Sequence, residues 1–220
     1  MIDIRPQARN YLDELKQTID QIDPEQLQQI AEIILEAYQD DKTVFVFGNG
    51  GSASTASHLA CDWGKGTLDN VYDSKEKRFR VISLTDNVAT MTAVGNDLSY
   101  DDIFVHQLSS LIRPGDVVVG ISASGNSANV VKAFLYAKEQ QATTVGFLGF
   151  MNGGKSKRFV DVDVTVQSNS YGIVEDVHLV LNHLLTVCLS YMKKQSDSQH
   201  DKKGKQKITT SYAHKIERLK

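Results

Sequence analysis

The sequence predicts a doubly wound α/β domain, a parallel sheet of five strands with helices on both faces. Two observations carry that prediction. Short apolar runs rich in β-branched residues alternate with stretches of helical period, the pattern of strands joined by crossover helices. Two of the runs also end in loops of small residues leading straight into a helix, at the edge where open α/β sheets bind ligands. At 220 residues the chain has room for one such domain and a sizeable core.

In order, residues 5–20 carry Leu12, Leu15 and Ile19 at helical spacing, with Ile22 continuing the pattern just beyond. Asp23-Pro24-Glu25-Gln26 opens a second helix, with Asp23 as N-cap, Pro24 at the first position and Gln26 placed for a capping box. Its apolar stripe is Leu27, Ile30, Ile34 and Tyr38. Neither helix has a strand of its own, so residues 1–40 are expected to cover the domain and to pack on other subunits. The strands follow as Val44–Phe47, Phe79–Leu84, Asp116–Ile121, Thr144–Leu148 and Val162–Val166. Between them lie helices over 53–63, after Asn87, around Ile103–Leu111 and over 128–140, and a closing helix spans Ile173–Met192. The domain proper is thus 41–194, with a basic polar tail over 195–220.

Net charge is −3, which gives no reason to expect nucleic acid. The charge is uneven: from Lys193 onward nine Lys and Arg face three Asp and Glu, a surplus typical of a solvated extension. That tail is expected to be mobile or only partly helical. Cys61 and Cys188 are too few and too far apart for a disulfide scaffold. No apolar run is read as membrane-spanning and no leader pattern is seen, so the expected compartment is the cytoplasm.

Val44-Phe45-Val46-Phe47 runs into Gly48-Asn49-Gly50-Gly51-Ser52 and then a helix, with Ser52 read as its N-cap. Glycines permit positive φ and let N–H groups crowd a ligand, and a helix N-terminus favours an anion. The turn lacks the third glycine of the dinucleotide fingerprint and the Lys-Ser/Thr of the Walker loop. A tight turn with no ligand also uses glycines. The second loop, Ser122-Ala123-Ser124-Gly125-Asn126-Ser127, tips the balance, because two such loops in one sheet favour a phosphate.

Here the chain resembles the sugar isomerase (SIS) domain family, and within it the phosphoheptose isomerases. The shared pattern is G-N-G-G-S-A, S-H-L-A-C-D, S-L-T-D, V-G-N-D, S-A-S-G-N-S and E-D-V-H-L-V-L-N-H, covering nearly the whole chain to about Met192. The resemblance implies a flavodoxin-like SIS fold plus N-terminal helices, and a tetramer with sites built between subunits. It implies a ketose–aldose isomerase converting sedoheptulose 7-phosphate to a D-glycero-heptose 7-phosphate through an enediol(ate). Phosphate falls to Ser122, Ser124, Ser127 and Ser52, with the N–H groups of Gly50 and Gly51. Asn49, Asp86, Asp97 and Glu175 fall in the sugar cleft. A metal, zinc or another dication, falls to His58, Asp62, Glu175 and His183, with Asp62 as base and His183 as acid.

The spacing of His58 and Asp62 puts both on one helix face, as a shared metal requires. His58 alone would more often be a plain polar helix residue. Asp62 and Glu175 depart from the family's usual Glu and Gln, and Glu175 or Asp176 stands as an alternative base. His178 lies about 140° from His183 around the helix, and is read as a subunit-contact or second-layer residue. Trp63 and Phe104 are read as packing; His106, His200 and His214 receive no role. The competing reading is a non-catalytic SIS-domain sensor or protein-partner module of the initiator-associating type.

Overall fold

The computed structural model describes the backbone of residues 2–217 and the side chains of residues 2–198. Helices α1 (Arg5–Ile19) and α2 (Pro24–Gln39) precede strand β1 (Thr43–Gly48). Then come α3 (Gly51–Cys61), a π-turn over Asp62–Gly66, β2 (Arg80–Ser83), α4 (Val88–Asp97) and α5 (Ile103–Leu111). Strand β3 (Val117–Ser122), α6 (Ala128–Glu139), β4 (Thr143–Leu148), β5 (Val162–Thr165) and α7 (Tyr171–Glu217) complete the chain. All five strands pair in parallel in the order β2-β1-β3-β4-β5, so the expected doubly wound, flavodoxin-like sheet is what forms.

Alternation along the buried strands separates two cores. Val44, Val46, Val119 and Phe147 face α2, α3 and α7, while Phe45, Phe47 and Val118 face α4, α5 and α6. Both faces are covered, which is why β1 and β3 read as unbroken apolar runs. Trp63 and Phe104 are fully buried, as packing residues.

Asp23 caps α2 by accepting from the Glu25 N–H at 2.9 Å, and Pro24 takes the first position, where no intrahelical donor is lost. Helix α2 is bound into the core through Ile30, Ile34 and Tyr38. Helix α1 touches it with Leu15 and Ile19 but leaves Leu12 59% exposed.

Helix α7 revises three sequence readings. His178 is fully buried, and its Nε2 donates to the Leu148 carbonyl at 3.1 Å, so it is an interior anchor and not a subunit contact. The stretch Tyr171–Ser198 is long and apolar enough to cross a membrane, contrary to the reading that no run is, because the long helix collects core residues from one domain face. The helix also runs on past residue 194, and the tail's side chains from 199 lie outside the described residues.

A partly buried ion pair ties α7 to the connection after the π-turn. Lys193, 2% exposed, donates to the Glu76 carboxylate and to the Thr67 carbonyl at 3.3 Å. Glu76 also accepts from the N–H groups of Asp69 and Asn70 at 2.9 and 3.0 Å. Burial pushes the Glu76 pKa up, but the bonds from Lys193, Asn70 and Asp69 together outweigh it and hold the group at about 2.

Lys193→Met leaves that carboxylate without its cation, and urea unfolding at pH 7 is expected to show a loss of about 3 kcal/mol. The pH dependence has a fixed sign. Glu76 is held below its ordinary value of 4.5, so its contribution is complete above that value and disappears as pH falls toward about 2. The stability gap between the parent and Glu76→Gln is therefore expected to close over that window; a gap constant with pH would contradict the pairing.

Candidate active site

The strand order reverses at β1 and β3, and both small-residue loops leave the sheet there, side by side. After β1, Gly50 takes φ 57° and ψ −122° as the N-cap of α3. The sequence reading put Ser52 at that cap. A positive φ at the turn belongs to glycine, so the helix starts earlier and Ser52 sits inside its first turn, 5% exposed. After β3, Ser127 is the N-cap of α6 without a side-chain cap bond, which leaves its hydroxyl uncommitted to the helix. The Ser122 and Ser127 hydroxyls are 3.5 Å apart. Ser122 Oγ accepts from the Gly125 N–H at 3.1 Å, and Ser124 Oγ from the Asn126 N–H at 3.2 Å. The Gly125 carbonyl accepts from Ser156 N–H at 2.9 Å, so the segment after β4 buttresses this loop.

The loops are also joined to each other. Asn49 and Asn129 form a reciprocal amide pair, both bonds 2.9 Å, and the Tyr100 hydroxyl donates to Asn49 Oδ1 at 3.0 Å. At the end of β2, the Ser57 hydroxyl of α3 donates to Asp86 Oδ1 and lies 3.1 Å from the Thr85 hydroxyl. Asp97 ends α4, exposed, with Asn96 donating to it at 2.8 Å. Hydroxyls and N–H groups thus gather over two helix N-termini, an arrangement that binds an anion.

On the outer half of α3 and across to α7, three donors converge. His58 Nε2 lies 3.2 Å from Asp62 Oδ2, His183 Nε2 lies 3.4 Å from His58 Nε2, and His183 Nε2 lies 3.7 Å from Asp62 Oδ2. A tetrahedral zinc with bonds of roughly 2.0–2.1 Å has ligand–ligand edges of about 3.3 Å. The triangle fits one face of such a site. Asn182 of α7 donates to the same Asp62 Oδ2 at 2.9 Å. Glu175 stands outside this group: its carboxylate lies over Gly51, where any added Cβ would collide with it.

Sequence reasoning named His58, Asp62 and His183 and both loops, but not Ser57, Tyr100, Asn129 or Asn182. Asn182 carried a signal, as the one amide in the run Leu179-Val180-Leu181-Asn182-His183-Leu184-Leu185.

Fold and site together define an SIS-type α/β protein. The SIS domain profile matches residues 10–149. The chain is 41% identical over 162 residues to a phosphoheptose isomerase of Clostridium acetobutylicum, covering 73% of this chain and 79% of that one. It is 39% identical over 156 residues to a phosphoheptose isomerase of Geotalea daltonii, covering 71% and 78%. Among solved structures, the phosphoheptose isomerase of Neisseria gonorrhoeae superposes with a TM-score of 0.77 at 31% identity, over 86% of this chain and all of that one. The chain belongs to the phosphoheptose isomerase branch of the SIS domain family.

Gly125 has φ 62°, and a Cβ there would overlap the Gly153 carbonyl oxygen. Gly125→Ala is expected to cost about 1–3 kcal/mol in thermal unfolding and to displace the serine loop. A variant with parental stability would show that the two loops can part without cost.

Proposed function

We propose that this protein interconverts sedoheptulose 7-phosphate and a D-glycero-heptose 7-phosphate, acting as a ketose–aldose isomerase. The observation that carries the reading is the His58–Asp62–His183 triangle in a fold whose glycine and serine loops gather hydroxyls and backbone N–H groups at neighbouring strand ends. Membership of the phosphoheptose isomerase family supports the substrate class.

The phosphate is held by Ser122, Ser124, Ser127 and Ser52 with the N–H groups of Gly50 and Gly51. Asn49, Asp86 and Asp97 hold sugar hydroxyls, and the place of Glu175 over Gly51 supports a substrate contact there more than a share in the metal. His58, Asp62 and His183 would hold a divalent cation, zinc first among them, and it would supply positive charge that offsets the negative charge developing on the substrate. Asp62 moves the proton between the adjacent carbons. His183 gives and takes the proton of the neighbouring oxygen. Such a reaction needs the base within reach of carbon and the acid within reach of oxygen, and the shared triangle keeps the two groups adjacent.

The working unit is a homo-oligomer, a tetramer by family. Next to His183, Leu184, Val187 and Tyr191 of α7 are 37%, 70% and 65% exposed, an apolar strip that a second copy would cover. Free Cys61 and Cys188 fit a reducing cytoplasm.

The test is turnover of sedoheptulose 7-phosphate by chelator-treated protein, with and without added zinc, beside His183→Ala. The expected result is zinc-dependent aldose formation that falls roughly 10²–10⁴-fold in the variant. Tight sugar-phosphate binding with no turnover under any dication would overturn the reading and leave a sensor or partner module.

A further inference from the structure

We infer that Asn182 is a positioning residue for Asp62, holding its carboxylate in the plane that both metal binding and proton transfer require. The inference rests on the isomerase reading above. Asn182 is fully buried, one residue before His183, directly after the apolar run Leu179-Val180-Leu181. Its Nδ2 donates to Asp62 Oδ2 at 2.9 Å, the oxygen that also lies 3.2 Å from His58 Nε2. Among the described residues Asp62 Oδ1 has no protein partner. One oxygen is thus pinned inside the triangle while the other is left for substrate. An aspartate otherwise rotates about its terminal bond, a broad torsion that no packing would fix at 24% side-chain exposure.

The second observation is a cost that structure alone does not explain. Asn182 Oδ1 is buried without a hydrogen-bond partner among the described residues. An unmet acceptor of that kind is unfavourable, and a leucine of similar volume would avoid it. A stabilising role would favour the leucine. Holding Asp62 from α7 needs the amide donor.

Those two roles give opposite signatures. For Asn182→Leu and Asn182→Ala we expect kcat on sedoheptulose 7-phosphate to fall roughly 10–100-fold with KM within about twofold. Cobalt(II) affinity of the chelated protein, read by its visible absorption, is expected to weaken about tenfold. The melting temperature of Asn182→Leu should hold or rise, where a structural role would lower it. In an Asp62→Asn background, Asn182→Leu should change the cobalt Kd less than about twofold, because its effect runs through the carboxylate.

If the parent binds cobalt and turns over while both variants keep kcat and Kd within about twofold, the role of Asn182 is overturned and the isomerase reading stands. Equal loss of cobalt affinity in the Asp62→Asn background also overturns it. A parent that neither binds cobalt nor turns over removes the isomerase reading and this inference together.

Discussion

The site depends on the register of α7 over the sheet. Val174, Val177, Leu181, Leu185 and Leu189 form the buried stripe that sets its rotation. His178 adds a directional bond, from Nε2 to the carbonyl that ends β4. Burial pulls the pKa of that ring down to about 4, against a weaker opposing pull from the same bond, so the ring is neutral and the anchor is intact at ordinary pH. Rotating the helix by one residue would turn each side chain by roughly 100°. His183 would then leave His58, and Asn182 would leave Asp62.

What could be read from sequence was whatever repeats locally. Strands, crossover helices and both loops announce themselves through period and composition, and His58 with Asp62 through a spacing of four. The groups that escaped are joined only through the fold. Asn129 meets Asn49 because β1 and β3 are neighbours, and Asn182 meets Asp62 because α7 crosses the end of α3. Ser52 looked like a cap because serine caps helices more often than glycine; the backbone angle at Gly50, invisible in a residue list, decided otherwise.

The two halves of the crevice are chemically unlike. One holds neutral donors, hydroxyl and N–H, over helix N-termini; the other holds imidazoles and a carboxylate. A sugar phosphate is unlike at its two ends in the same sense, an anion at one and a carbonyl with its neighbouring hydroxyl at the other. The doubly wound topology supplies this polarity, since strands β1 and β3 deliver the loops while α3 and α7 carry the titrating groups outward.

The amide pair between Asn49 and Asn129 has an evolutionary consequence. Each side chain donates one hydrogen bond to the other and accepts one in return, and the Tyr100 hydroxyl donates to Asn49 Oδ1 as well. Losing Asn49 strands the buried amide of Asn129, and losing Asn129 leaves the half-buried Asn49 with only Tyr100, so the two are expected to be replaced together or not at all. The glycine loop and the start of α6 are therefore expected to change in step, and a change in sugar preference to be easier to reach elsewhere in the cleft than at this pair.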